Sequence, residues 1–229
     1  MSLFVIGDLH LSLSADKKMD VFHGWENYVL RLERAWKEKI TESDSVILLG
    51  DISWGMTLEE ASEDFRFINS LPGKKYLVKG NHDYWWSTKS KINAFFEKNN
   101  FNSFSVIHNS GLCFGNIGIA ATRGWIALDS EPHDKKIAAR EAMRLDRSIC
   151  EAKKAGAEEV IAFLHYPPVY TDAICGEIME VLQKHQIKKC FYGHIHSDGC
   201  RFALQGDFFG INFALVSADY LNFSPFRVF

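Results

Sequence analysis

The sequence predicts an α/β protein, on three observations. Short runs rich in Val, Ile, Leu and Phe alternate with longer segments whose apolar residues recur every three or four positions, the pattern of strands buried between helices. Two stretches instead carry turn signals between apolar runs, as antiparallel hairpins do, so a mixed or second sheet is expected. With 229 residues, 47% hydrophobic and 14% aromatic, the chain is long and apolar enough to bury a substantial core.

"LFVIGD" (3–8) is the first strand. In "WENYVLRLERAWKEKI" (25–40), Trp25, Tyr28, Val29, Leu32, Trp36 and Ile40 share one face, which predicts an amphipathic helix lying on a sheet. "SVILLGD" (45–51) is a second strand, and the T-x-x-E of Thr57 and Glu60 is a capping box that starts a helix ending near Pro72. "KYLVKGN" (75–81) is a third strand, with a helix over "STKSKINAFFEKN" after it. The stretch "SFSVIHNSGLCFGNIGIAATRGW", with Gly115-Asn116 as its turn, reads as a hairpin. A long helix from His133 to Ala155, the strand "VIAFLH" (160–165), a helix over 177–185 and the strand "KCFYGH" (189–194) come next. "RFALQGDFFGINFALVSADYLNF" is a second hairpin, with its turn at Gly206-Asp207. The apolar tail fits either a sheet edge or a dimer edge. No repeat or low-complexity linker appears, so one domain over 1–229 is expected.

Composition excludes some functions. A net charge of −3 gives no general pull toward nucleic acid or anionic lipid. No apolar run is long enough to span a bilayer, and "MSLFVIGDLH" lacks a basic leader segment, so a cytoplasmic protein without membrane partners is expected. Cys113, Cys150, Cys175, Cys190 and Cys200 are odd in number and never paired as C-x-x-C, which argues against disulfides and a thiolate zinc site. They read as small buried apolar residues.

The chemistry is concentrated at the strand ends. Ligands of open α/β sheets gather outside the carboxyl ends of the strands. Those ends read Asp8-Leu9-His10, Gly50-Asp51, Gly80-Asn81-His82-Asp83, His165 and Gly193-His194-Ile195-His196. Taken singly, each has an ordinary alternative: a turn aspartate, a loop-opening Gly-Asp, a satisfied buried histidine. Taken together, carboxylate, amide and imidazole groups at successive strand ends indicate a shared metal site.

This ordered set resembles the signature of the calcineurin-like metallophosphoesterases, in the compact bacterial branch, over Asp8 to His196. The resemblance implies a four-layer αββα sandwich with two mixed β-sheets flanked by helices, holding two divalent or trivalent transition-metal ions, Mn, Fe or Zn. It assigns Asp8, His10, Asp51 and His196 to one ion and Asp51, Asn81, His165 and His194 to the other, Asp51 bridging. Such a pair, typically ~3.5–4 Å apart, hydrolyses phosphate mono- or diesters. Metal-bound hydroxide is the implied nucleophile, and His82 the general acid that protonates the leaving oxygen. Asp83 reads equally as a carboxylate supporting the site or as an ordinary turn residue. Arg123, at the predicted strand end "ATRGWI", is a candidate bidentate phosphate ligand. Trp54, Trp85 and Trp86 are candidate pocket walls, core packing being the better reading for any one of them, while His133 and Tyr166 read as helix-start and loop residues.

The chain departs from the phosphoprotein phosphatases, in which a further Asp and an Arg-Gly pair come after the Gly-Asp; here Ile52-Ser53-Trp54-Gly55 stands in that place. Protein Ser/Thr phosphatase activity is therefore not expected, and another group must orient His82. A phosphodiester, a nucleotide or a small phosphomonoester is the expected substrate. The other readings are a catalytically silent scaffold of the same fold and a nuclease using the same ions, although the lysines of "STKSKINAFFEKNN" fit a solvated helix face better than a nucleic-acid groove.

Overall fold

The computed structural model describes residues 1–107, 109–126 and 132–229, without the side chains of Pro132 and His133, so the reading of His133 lies outside the described residues. Along the chain run β1 (Leu3–Ile6), α1 (Tyr28–Lys39), β2 (Ser45–Leu49), α2 (Ser62–Ser70), β3 (Lys74–Val78), α3 (Lys89–Lys98), β4 (Phe104–Val106), β5 (Gly111–Phe114) and β6 (Ile117–Thr122). Then come α4 (Pro132–Lys154), β7 (Glu159–Leu164), β8 (Val169–Tyr170), β9 (Ala173–Ile174), α5 (Gly176–Lys184) and β10 (Lys189–Tyr192). A short 3-10 helix (Ser197–Phe202), β11 (Gly206–Phe208), β12 (Ile211–Leu215) and β13 (Phe226–Arg227) complete it. The fold is α/β, with two large mixed sheets and helices. The chain divides into two compact units, Met1–Val106 with Val216–Phe229, and Ile107–Leu215.

The first unit holds a five-stranded sheet in the order β13-β1-β2-β3-β4. β1 to β4 are parallel, and β13 pairs antiparallel with β1 (Phe4↔Arg227), so the apolar tail closes a sheet edge. Leu32 and Trp36 of α1, Phe65 and Ile68 of α2 and Ile92 and Phe96 of α3 pack with Phe4, Ile6, Val46, Leu48 and Leu77. The alternate residues Leu3, Val5, Ile47 and Leu49 are buried as well, as continuous apolar runs in parallel strands require.

The second unit holds a six-stranded sheet, β11-β12-β10-β7-β6-β5, in which β6, β7, β10 and β12 are parallel and the edges β5 and β11 antiparallel. Leu145 and Ile149 of α4 and Ile178 and Leu182 of α5 pack on Ala162, Leu164, Cys190 and Phe213.

Several expectations are corrected. The segment over 103–125 is not one hairpin: β4 pairs in parallel with β3 (Leu77↔Val106) in the first unit, and only β5 and β6 form the hairpin, around Gly115-Asn116. Short apolar runs do not declare their sheet, because both sheets accept the same residues. The second hairpin turns at Phe209-Gly210, both at positive φ, rather than at Gly206-Asp207; Gly206 already pairs with Phe213. The first helix begins at Tyr28, since Asn27 is left-handed at φ 51. At Thr57 the hydroxyl does accept the N–H of Glu60 (3.1 Å), and the Glu60 carboxylate accepts from Met56 N (2.8 Å). The turn so capped lapses into an i,i+3 bond, Ser62 N to Glu59 O, and the regular helix starts at Ser62. All five cysteines are free, but only Cys175 and Cys190 are buried; burial pushes the Cys175 thiol up to about 11 and that of Cys190 higher still. Among the described residues, no helix is long and apolar enough to cross a membrane.

Candidate metal and phosphate-binding site

In the first unit the expected residues stand just after β1, β2 and β3. Asp8, His10 and Asp51 are almost completely buried, and all three adopt positive φ (59°, 46° and 51°). Non-glycine residues rarely occupy that region unless the surroundings impose it, and such residues cluster at functional sites. Here the two loops interlock: Asp8 N donates to Gly50 O (2.9 Å), His10 N to Asp51 O (2.9 Å) and Leu11 N to Ile52 O (3.0 Å). The buried Tyr28 hydroxyl donates to His10 O (3.1 Å).

The loop after β3 is locked to the loop after β2 by Asp83, itself buried. One carboxylate oxygen accepts Gly80 N (2.7 Å) and Asp51 N (3.0 Å); the other accepts Ile52 N (2.8 Å) and the Trp85 indole N–H (3.0 Å). His82 N in turn donates to Asp51 Oδ1 (2.7 Å). The approach demands glycine at position 80, where a Cβ would stand 2.1 Å from Asp51 Oδ1 and 2.2 Å from Asp51 N. Asn81 is half-buried between Gly80 and His82.

The imidazoles of this unit lie close together. His10 Nε2 is 3.8 Å from Asp51 Oδ2, and the His10 and His82 rings are 5.8 Å apart. Trp54 stacks on His10 at 4.9 Å and meets His82 at 4.7 Å, with Lys17 Nζ 3.2 Å from its ring centroid. Of the three candidate wall residues Trp54 is thus the one beside the histidines, and Trp25 also packs on His10 at 5.9 Å. Trp85 is buried against Phe65, and Trp86, partly buried, packs on the same core. The Tyr84 hydroxyl lies 3.3 Å from His82 Nδ1. Asp64 of α2 holds the neighbouring loops by accepting from Leu13 N (2.8 Å) and the Ser53 hydroxyl; burial raises its carboxyl above the usual range, against those two bonds.

In the second unit His165 comes after β7, and His194 and His196 after β10. His165 is fully buried; its ring is 5.3 Å from that of His194, and Gly193 N donates to His165 O (3.1 Å). His194 is another residue at positive φ, 71°. His194 and His196 line a pocket of ≈ 200 Å³ whose other walls are largely apolar, Ile126, Pro167, Tyr170 and Ile195 among them. Tyr166 packs on His194 at 4.2 Å and donates its backbone N–H to Arg123 O (2.8 Å). Arg123 comes immediately after β6, its guanidinium 5.0 Å from the Trp125 ring and 5.9 Å from that of Tyr166.

The donor sets fit transition-metal ions. The first unit offers buried carboxylates, an imidazole and an amide, and the second offers imidazoles, a combination of oxygen and nitrogen suited to Mn, Fe or Zn rather than to Ca.

A further group of ligand-type atoms, from Asp146, Cys150 and His185, lies within 4.8 Å between α4 and the end of α5. Its carboxylate accepts from Lys184 Nζ (2.7 Å) and His185 Nε2 (2.8 Å), and the Lys184 bond, then the His185 bond, hold the Asp146 carboxyl below its usual range. This is an ion-paired clasp between two helices. Sequence reading missed the supporting residues Tyr84 and Asp64. Tyr84 had a signal, lying two positions from His82; Asp64 lies on a helix away from any strand end and had none.

Comparison with known proteins places this geometry in context. A family model described as calcineurin-like phosphoesterase matches residues 1–198. A 3',5'-cyclic-nucleotide phosphodiesterase of Nostoc sp. is 24% identical over 215 residues, covering 86% of this chain and 72% of that protein. A protein of unknown function from Aquifex aeolicus has a similar structure, with TM-score 0.55 and 14% identity over 99% of this chain and 95% of its own. A Thermus thermophilus structure matches with TM-score 0.53 and 11% identity over 85% and 81% of the two chains.

Proposed function

The chain belongs to the calcineurin-like phosphoesterase family, and from that premise we propose that it hydrolyses a phosphate mono- or diester at a dinuclear centre held by Asp8, His10, Asp51, Asn81, His165, His194 and His196, with His82 as general acid. Family membership makes it a metal-dependent phosphohydrolase acting on phosphate esters. The observation that carries the finer reading is the left-handed backbone at Asp8, His10, Asp51 and His194, a conformational cost borne at candidate ligands in loops that hydrogen bonds over-determine. The family match crosses both units, and we take 1–229 as one catalytic domain.

Metal ions bound by these residues supply the positive charge that offsets charge developing on the phosphoryl oxygens. The chain's own groups do the rest. Asp51 would be the carboxylate shared by the two ions, and its backbone is fixed through Asp83. With the imidazole protonated, Nδ1–H faces the Tyr84 hydroxyl oxygen as acceptor, and Nε2–H is the donor that passes its proton to the leaving oxygen, which returns the ring to its neutral form. Arg123 offers N–H donors to phosphoryl oxygens, and the apolar pocket beside His194 receives the organic part of the ester. Similarity to a cyclic-nucleotide phosphodiesterase makes a phosphodiester the first class to try.

The test is turnover of bis(p-nitrophenyl) phosphate and p-nitrophenyl phosphate by protein reconstituted with Mn, Fe or Zn, with metal content measured in parallel. D51A should lose both activity and bound metal. Undiminished turnover in purified D51A protein would overturn the assignment. A faster diester reaction directs the search to diesters, a faster monoester reaction to nucleotides and sugar phosphates.

A further inference from the structure

We infer that Glu141 is a positioning residue that sets the direction of the Arg123 guanidinium, and thereby the grip on the substrate's phosphoryl group; this rests on the proposed role of Arg123 as phosphate ligand. Glu141 lies on α4 with its side chain wholly buried. A buried carboxylate is costly unless it is paired and hydrogen-bonded, and a helix needing only a packing residue there is served as well by an apolar side chain. Its neighbours Ala138, Ala142 and Leu145 are of that apolar kind.

The partners of Glu141 show what the carboxylate holds. Oε2 accepts from the Thr122 hydroxyl (2.6 Å), and Oε1 accepts from Arg144 Nη1 (2.6 Å), with Arg140 Nε at 3.7 Å and Arg123 Nη2 at 4.0 Å. Thr122 ends β6 and Arg123 is the next residue, so the carboxylate grips the carboxyl end of that strand. β6 runs in register with β7, Thr122 opposite Leu164, which sets Arg123 level with His165. The short bonds of Glu141 go to Thr122 and Arg144, whereas Arg123 is approached at one nitrogen at the limit of an ion pair. At 4.0 Å this contact is a charge attraction beyond hydrogen-bond range, so it draws the guanidinium toward the strand end while taking up none of its five N–H donors. Trp125, its indole N–H donating to Asp134 (3.2 Å), and Tyr166 flank the same guanidinium, and the Tyr166 ring also packs on His194.

The experiment is a double-mutant cycle on the metal-reconstituted enzyme. It reads kcat and KM for bis(p-nitrophenyl) phosphate and the inhibition constant of inorganic phosphate in wild type, R123A, E141Q and R123A/E141Q. R123A should raise KM and the phosphate inhibition constant ~10- to 100-fold, the loss expected of charge-assisted hydrogen bonds. E141Q should raise both ~3- to 10-fold, by release of the guanidinium, and should add nothing in the R123A background. Should E141Q fail to fold, E141D keeps the charge on a shorter stem and should show a smaller shift, again absent without Arg123.

Equal effects of the Glu141 change with and without Arg123, or no change in KM and phosphate inhibition, would overturn the inference and leave Glu141 a structural residue. If R123A itself changes neither quantity, the role given to Arg123 fails and this inference with it, while the metal-ligand assignment stands on the separate D51A result.

Discussion

The Asp83 carboxylate accepts the backbone N–H of Asp51 at 3.0 Å, so the candidate bridging ligand is held by the residue next in the chain to the candidate general acid. One side chain ties the loop after β2 to the loop after β3 and has both oxygens committed to donors. Replacement by alanine leaves buried N–H groups without this acceptor, at a cost of about 3 kcal/mol. D83A should therefore unfold at lower urea and lose metal affinity together. D83N, which keeps one acceptor oxygen, should fall between it and wild type in both urea unfolding and metal titration.

His82 is met at Nδ1 by Tyr84, and the two residues should act together. H82A should lower kcat by ~10²- to 10³-fold, the range for losing a general acid. Y84F, which keeps the ring and removes only the hydroxyl, should lower kcat by roughly 3- to 10-fold with KM unchanged, and should have no effect in the H82A background. Steady-state kinetics across pH checks both: the Y84F profile should be displaced, whereas a purely structural role would lower it uniformly.

Lys75 gives a stability prediction away from the site. It is fully buried at the start of β3, where its ammonium donates to Leu71 O and lies 3.4 Å from the Ser103 hydroxyl, and burial lowers its pKa from 10.5 to about 8. Below pH 8 both folded and unfolded chains carry the charge, and burying it costs about 3 kcal/mol. Between pH 8 and 10.5 the folded chain has released the proton that the unfolded chain still binds, so this contribution to stability rises with pH. K75M should exceed wild type by ~1–2 kcal/mol at pH 7, after loss of the bond to Leu71 O, and the difference should fade toward pH 10.5. Urea unfolding at a series of pH values measures it.

The candidate ligands were legible because a buried parallel strand is nearly all apolar, so Asp8, Asp51, Asn81 and His165 stand out where each apolar run stops. Their supports were not. Asp83 reads in the sequence equally as a turn aspartate or as a supporting carboxylate, and only its acceptor oxygens facing donors on the loop after β2 separate the two, while Glu141 is one more charge on a long amphipathic helix. A hydrogen bond between residues 32 positions apart, such as Asp83 to Asp51, leaves no local pattern in the chain.

By itself the sequence determined the alternation of the main strands and helices and the residue types at the strand ends, since both depend on local periodicity and the chemistry of single side chains. Only the tertiary structure decided that β4 joins the first sheet, that α2 starts at Ser62 rather than at its capping box, that β13 closes the edge beside β1, and that Asp83, Tyr84 and Glu141 stand against Asp51, His82 and Arg123. Those choices depend on long-range pairing and on satisfying buried polar groups, whose energies exist only once distant parts of the chain have met.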